Sequence, residues 1–250
     1  MPSRRLSRGC DDLRQGRRGP RKIRSLMKKG MLITFEGLDA AGKDTQTKLA
    51  AAYLEKRNLP YRLLSFPTYD GRMSALVQMY LRGEFGSDPK AVNAYAASSF
   101  FAMDRYASYM TDWKKDYERG AVLLANRYTT SNAIHQLSKL PEAEWEGFLN
   151  WLYDYEYGLL GIPKPDRVLF LRVPPALSFR MAEKRCAETG AAKDIHESDL
   201  RHLETSAKAA QYVAERDGWI TVDCAAGEVY RTREDIAAEL AAYIRELLDA

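Results

Sequence analysis

The chain has 250 residues, enough for one α/β domain or two small ones, and its 46% of hydrophobic residues suits a protein with a sizeable core. No apolar run approaches the length of a membrane-spanning helix, so the sequence predicts no helix of that kind. The formal net charge of +4 is unevenly distributed, because residues 1–30 hold eleven Lys or Arg against Asp11 and Asp12, which leaves the rest of the chain net acidic.

Residues 1–30 predict a basic, disordered extension, since they are rich in Arg and Gly and poor in apolar side chains. Such a segment is typical of a nucleic-acid arm or of an organelle transit peptide. A transit peptide is poor in acids and able to form an amphipathic helix, whereas this segment has two acids and scattered glycines. We favour a non-native extension upstream of a start at Met27 or Met31, and we expect neither nucleic acid nor a membrane as a partner. Residues 31–250 then form one domain.

The cysteines are Cys10, Cys186 and Cys224, and they form no CxxC or metal-ligand spacing. With no secretory signal before them, they are predicted to be free thiols in a reducing cytoplasm.

A phosphate-binding loop is the first motif of the domain. Gly37, Gly42 and Lys43 have the spacing G-x-x-x-x-G-K, after an apolar run at 31–35 and before a helical pattern. The glycines let the backbone amides turn towards phosphate oxygens, the helix N-terminus adds its dipole, and the lysine reaches the β- and γ-phosphates. Asp44 stands where a hydroxyl residue usually serves magnesium. The predicted site for the nucleotide phosphates is Gly37, Leu38, Asp39, Ala40, Ala41, Gly42, Lys43, Asp44 and Thr45.

The elements that follow alternate between strand and helix. Asp88 has the features of an N-cap for a long helix that ends at Gly120. The alternation predicts an α/β fold of the P-loop NTPase type, a five-stranded parallel sheet with helices on both faces. The expected strands are 31–35, 61–66, 121–125, 168–173 and 219–224, and the expected helices include 72–81, 88–119, 131–138, 141–157, 174–188, 203–216 and 233–248. A polar segment at 185–199 is predicted to be a mobile lid.

Candidate ligand-binding residues lie on two of these elements. Asn126, Arg127 and Tyr128 follow a fully apolar strand, at the edge of a parallel sheet where ligands bind. Phe101 and Arg105 are four residues apart on the long helix and share one face. Core packing is an alternative role for Phe101.

In this combination the chain resembles the thymidylate kinase family of P-loop nucleoside monophosphate kinases, from about Met31 onward. The resemblance rests on the residues of five motifs in order. They are Phe35-Glu36-Gly37-Leu38-Asp39, Ser65-Phe66-Pro67, Phe101 with Arg105, Asn126-Arg127-Tyr128, and Pro163-x-Pro165-Asp166.

The resemblance implies phosphate transfer from ATP to dTMP with Mg²⁺, and a homodimer. It implies that Arg105 and Arg127 hold the acceptor phosphate and that Phe101 stacks on thymine. It further implies that Asp39 meets the acceptor 3′-hydroxyl and the metal region. The substrate-binding set is Asp39, Phe66, Arg72, Phe101, Arg105, Arg127, His135 and Gln136, with the last two beside the deoxyribose. A surface position is an alternative for His135.

Three residues depart from the family pattern. Ala40 provides no arginine, so a cation from the lid side is expected to assist transfer, with Arg180, Lys184, Arg185 and Lys193 as candidates. Asp44 replaces the hydroxyl residue and Asn126 replaces an Asp. We hypothesise that the carboxylate serving magnesium has moved to Asp44, with Asp39 as the other metal-site residue. The catalytic set is then Lys43, Arg127, Arg105, Asp39 and Arg185.

Two other functions remain open at this point. A deoxynucleoside kinase shares the chemistry, although a neutral hydroxyl acceptor needs no pair of arginines. A catalytically impaired nucleotide-binding or regulatory protein is the second alternative, and the two altered metal-site residues motivate it.

Overall fold

The computed structural model describes residues 29–69, 74–86, 88, 90–189 and 200–249. Several predictions lie outside these residues: the disordered extension except for its last two positions, the contact from Arg72, and most of the lid, including Lys193. The backbone of Arg185 is described within a helix, but its side chain is not, so its catalytic assignment stays a prediction.

A five-stranded parallel sheet forms the centre of the fold, as predicted. The strands are β1 (Met31–Glu36), β2 (Tyr61–Ser65), β3 (Val122–Asn126), β4 (Arg167–Arg172) and β5 (Ile220–Asp223), in the spatial order β2-β3-β1-β4-β5. β1 and β3 run side by side with Phe35 opposite Asn126. This register brings the loop after β1 next to the Asn126-Arg127-Tyr128 segment after β3.

Helices surround the sheet because the strands are apolar on both faces. On β1, Ile33 and Phe35 pack in one cluster with residues of α1 and α9, while Leu32 packs in another with Trp113. The helices are α1 (Lys43–Lys56), α2 (Ala75–Leu81), α3 (Ala94–Ser108), α4 (Lys114–Glu118), α5 (Thr129–His135), α6 (Trp145–Tyr153), α7 (Pro175–Thr189), α8 (Leu200–Asp217) and α9 (Arg233–Asp249). π-helical turns at Tyr109–Trp113 and Asp154–Leu159 follow α3 and α6.

The largest error in a predicted helix boundary is at the start of the long helix, and the other ends differ by up to four residues. The long helix begins at Ala94, where the Asn93 side chain accepts a hydrogen bond from the Ala96 amide at 2.8 Å. Asp88 instead accepts one from the Lys90 amide at 2.8 Å, within a turn. Asp and Asn are both good N-caps. The helix is capped by Asn93, and the Asp88 side chain is engaged in an Asx turn.

Two short strands were not predicted. β6 (Ala225–Ala226) and β7 (Val229–Tyr230) form an antiparallel hairpin between β5 and α9.

Among the described residues no helix is both long and apolar enough to cross a membrane.

Candidate active site

A cleft of about 710 Å³ lies at the C-terminal edge of the sheet. It is bounded by the loop after β1, the loop after β2, α3, the segment from β3 into α5, and the β6–β7 hairpin. The predicted site residues that line it are Asp39, Ala40, Ala41, Gly42, Lys43, Asp44, Thr45, Phe66, Phe101, Arg105, Arg127, His135 and Gln136. One cavity therefore holds residues of both halves of the predicted site, the phosphate-binding loop and the acceptor-binding residues.

The loop after β1 closes over its own lysine. The Lys43 ammonium donates to the carbonyls of Gly37 and Leu38 at 2.9 and 2.8 Å, and the residue is only 7% exposed. Gly42 caps α1 with φ of 88°. Gly37 is required by close packing as well as by its φ of 151°, because a Cβ there would lie 2.6 Å from the Leu171 carbonyl oxygen. The glycines therefore shape the loop, as their spacing predicts.

Arg127 lies at the junction of the two halves. Its Nη2 donates to Asp39 Oδ1, and its Nη1 lies 3.0 Å from His135 Nε2 and 3.4 Å from Ser131 Oγ. Because an arginine can only donate, His135 Nε2 accepts in this geometry. The backbone of Arg127 has φ of 67°, a conformation that is rare for residues other than glycine. Its amide donates to the Phe35 carbonyl at 3.1 Å.

A buried carboxylate holds the turn that carries Arg127. Glu36 is fully buried at the end of β1 and accepts hydrogen bonds from the Tyr128 amide at 3.0 Å and from the Thr130 and Ser131 hydroxyls, each at 2.7 Å. These three donors span the start of α5 and satisfy the carboxylate, which is buried away from the surface. In the sequence Glu36 stands out only as part of a motif, and nothing near it indicates this function.

Arg105 is held by a second buried carboxylate, Glu156. Its Nε and Nη2 donate to the two carboxylate oxygens at 2.7 and 2.5 Å, and the side chains are 2% and 0% exposed. Burial alone would lower the pKa of Arg105, but the charge and hydrogen bonds of Glu156 raise it above its ordinary value. Glu156 also accepts from Thr129 Oγ1 at 2.8 Å and from Asn132 Nδ2 at 3.3 Å.

The aromatic side of the cleft is built on Phe101 and Phe66. Phe101 is half-buried and packs edge-on against Tyr80, with ring centroids 6.1 Å apart. The buried Phe66 packs edge-on against Tyr128 at 5.8 Å. Lys139 stabilises Tyr80 by donating to its hydroxyl at 2.7 Å. Phe101 thus keeps part of its ring towards the cleft and part in the core, so the two roles considered for it are compatible.

The residues at the end of α5 are more buried than a surface site would allow. His135 is 8% exposed and Gln136 is 1% exposed, and both line the cleft. The surface alternative for His135 is therefore wrong.

The oxygen groups available to a metal are few. Asp44 lies on the exposed side of α1, where its carboxylate pairs with Lys48 at 2.8 Å, while Asp39 pairs with Arg127. No group of three or more His, Cys, Asp or Glu side chains that could hold a metal occurs within the described residues. Magnesium keeps several waters and binds through one or two carboxylates plus substrate phosphates, and the side-chain oxygens of Asp39, Asp44 and Thr45, which all line the cleft, are of the type it prefers.

Comparison with known proteins gives one consistent result. A family model described as thymidylate kinase matches residues 35–236. The chain is similar to a thymidylate kinase of Plasmodium falciparum, 28% identical over 220 residues, which cover 85% of this chain and 90% of that protein. It is also similar to a thymidylate kinase of Mycobacterium tuberculosis, 30% identical over 194 residues, which cover 76% of this chain and 87% of that protein.

The fold matches a solved structure as well. The structure of thymidylate kinase from Candida albicans superposes with a TM-score of 0.65 at 21% identity, over 87% of this chain and 92% of that chain. At this identity the likeness concerns the fold alone.

Proposed function

Because the chain belongs to the thymidylate kinase family, we propose that it transfers the γ-phosphoryl group of ATP to dTMP and releases dTDP and ADP. The observation that supports this most directly is that Lys43 and the loop after β1 line the same cleft as Arg127 and Phe101. Phosphoryl transfer requires alignment of donor and acceptor and cations around the transferred group, and the cleft offers both.

On the donor side, we expect Lys43 to exchange its present hydrogen bonds for bonds to ATP. Its ammonium now donates hydrogen bonds to two loop carbonyls, which are weaker acceptors than a charged phosphate oxygen. When ATP enters, we expect Lys43 to turn to the β- and γ-phosphates while the loop amides hold the same oxygens.

On the acceptor side, Arg127 is the better candidate for the phosphate. Its side chain is 19% exposed and its carboxylate partner Asp39 is 14% exposed, so an incoming anion can share the guanidinium. Arg105 is less available to an anion, because the Glu156 carboxylate compensates its charge and accepts hydrogen bonds from two of its three nitrogens. Both side chains are buried. That Arg105 also holds the phosphate stays a prediction. It depends on Nη1, which Glu156 does not engage and which lies 3.5 Å from the Tyr128 carbonyl oxygen.

Magnesium is part of the proposal. Bound with ATP, it would neutralise charge on the β- and γ-phosphates. Asp39 and Asp44 would hold it with the phosphates and water, and Lys48 competes for Asp44.

The Asp44 assignment has its own test. Asp44→Ser should raise the Mg²⁺ concentration needed for half-maximal rate, and adding Asn126→Asp should restore it. Lys48→Met, which removes the competing cation, should lower it. A double variant no better than Asp44→Ser would contradict the carboxylate exchange.

The remaining parts of the proposal rest on the family resemblance. They are a homodimer and a lid at 185–199 that supplies a cation, while the proposed cytoplasmic location rests on the expectation of free thiols. Of the candidates for that cation with a described side chain, Arg180 is 52% exposed and lies 3.6 Å from Glu228 of the hairpin. Analytical ultracentrifugation of the full chain tests the dimer.

One assay tests the function against its alternatives. The purified chain is given ATP, Mg²⁺ and one acceptor at a time (dTMP, dUMP, dCMP, dGMP, AMP or thymidine), and ADP release is followed. We expect dTMP to be the preferred acceptor. Preference for thymidine would indicate a deoxynucleoside kinase, and ATP binding without turnover would indicate a non-catalytic protein.

A pair of variants tests the role of Arg127. Arg127→Lys should raise the KM for dTMP and lower kcat, because an ammonium cannot replace the planar fork of a guanidinium. Arg216→Lys is the matched control, since Arg216 pairs with Glu146 away from the cleft. Equal kinetics for the two variants would contradict the assignment.

A further inference from the structure

Ala40 adopts a backbone conformation that alanine disfavours. Its φ is 59°, in the left-handed region that glycine enters without cost and alanine does not. The residue lies in the middle of the phosphate-binding loop, between Asp39 and Ala41, and lines the cleft. The protein therefore needs contacts that hold the loop in this shape.

Two hydroxyl groups supply those contacts, and they hold the two peptide groups that flank Ala40. Ser178 Oγ donates to the carbonyl of Asp39, and the Tyr230 hydroxyl donates to the carbonyl of Ala40 at 2.9 Å. In a trans peptide the carbonyl and the following N–H point in opposite directions in one plane. Holding these carbonyls therefore fixes the orientation of the Ala40 and Ala41 amides, and with it the dihedral angles of Ala40.

The two donors come from parts of the chain far from the loop. Ser178 is fully buried on α7, 139 residues away, and Tyr230 is partly buried on β7, 190 residues away. Burial raises the pKa of Tyr230 to about 12, so its hydroxyl keeps its proton and remains a donor at neutral pH. The Ala41 amide donates to the Leu38 carbonyl at 3.2 Å and closes the same turn from within.

We propose that Ser178 and Tyr230 are positioning residues for nucleotide binding. Their hydroxyls keep the loop around Ala40 in its phosphate-binding shape before the nucleotide arrives. The proposal rests on the proposed function only in taking the loop as the site for ATP. Pre-organisation of this kind strengthens binding because the loop does not have to be ordered by the ligand.

The first test removes each hydroxyl and nothing else. ATP binding to full-length Ser178→Ala and Tyr230→Phe is measured by calorimetry with Mg²⁺ and no acceptor. We expect each variant to bind ATP about 3- to 10-fold more weakly, the size of one net hydrogen bond. The matched controls are Ser99→Ala and Tyr212→Phe, whose hydroxyls bond within α3 and to Glu146 at the surface.

The second test is rescue by glycine, which a merely structural role would not produce. Ala40→Gly removes the cost of the left-handed conformation, so the loop keeps its shape with less help. In the Tyr230→Phe background it should recover most of the lost ATP affinity, and in the parent chain it should change affinity little.

The outcomes separate the two proposals. Unchanged ATP affinity in both hydroxyl variants, or a loss that Ala40→Gly does not reduce, would overturn the positioning role. A loss of ATP affinity that the Ser99→Ala and Tyr212→Phe controls share would overturn it too, because it would indicate general destabilisation. Absence of turnover with dTMP would overturn the proposed function but leave this result intact, since the measurement needs no acceptor.

Discussion

Removing the charge of Glu156 while keeping its shape should strongly destabilise the protein. In Glu156→Gln, Arg105 stays charged and buried, with 2% of its side chain exposed and no carboxylate to compensate it. The four hydrogen bonds at Glu156 all come from donors. The new amide nitrogen, which is itself a donor, would therefore replace an acceptor of some of these bonds. Breaking a buried ion pair from one side costs about 3–5 kcal/mol, a large part of the stability of a typical domain.

Urea unfolding followed by circular dichroism measures this loss. The matched control is Glu142→Gln, which removes an ion pair with Lys208 between side chains that are 63% and 61% exposed, where the expected loss is at most about 1 kcal/mol. Replacing both partners, as in Arg105→Met with Glu156→Leu, should recover much of the stability, since no charge is left buried. A loss below about 1 kcal/mol for Glu156→Gln would refute the reasoning.

Three further predictions concern other buried groups. Glu36→Gln should lower kcat by about 10- to 100-fold with little change in the KM for ATP, because it loosens the turn that carries Arg127, and steady-state kinetics would show an unchanged kcat if that is wrong. Burial lowers the pKa of Lys139 to about 8, so the folded state binds fewer protons than the unfolded state between pH 8 and about 10.4 and gains stability as pH rises. The unfolding free energy of the parent chain relative to Lys139→Met should rise by roughly 2–3 kcal/mol from pH 7 to pH 10, and a flat difference would contradict the shift. Burial raises the pKa of the Cys224 thiol to about 12, so Cys224→Ala should leave the number of thiols that react with Ellman's reagent in the native protein unchanged, and a lower count would contradict its burial.

The fold could be predicted because its signals are local. The apolar run before Gly37, the apolar run before Asn126 and the alternation of strands with helices each depend on residues close together in sequence. Parallel strands joined by helices then have few possible arrangements, so the sheet and its ligand-binding edge follow. The boundary error at Asp88 is of the same local kind, since two good caps lie five residues apart.

The polar supports of the site could not be predicted in the same way. Glu36 and Glu156 bond to partners 92 and 51 residues away, so nothing near either residue indicates its role. Glu156 also lies in a π-helical turn, which changes the face that a regular helix would assign to it. A carboxylate between two tyrosines in an amphipathic stretch is typical of a surface residue, and its burial depends on Arg105 being present.

The backbone strain at the site is hidden for a related reason. Ala40 and Arg127 both have positive φ, and conformations of this kind cost about 1–3 kcal/mol each. A glycine at either position would have indicated the conformation, but alanine and arginine do not. Each is held by distant groups instead, Ala40 by Ser178 and Tyr230, and Arg127 by Phe35 and by the Glu36 network. The two strained loops meet in the ion pair between Asp39 and Arg127, so their shapes are set by tertiary packing and not by local propensity. A substitution that relaxes either loop should therefore impair ligand binding or transfer before it unfolds the domain.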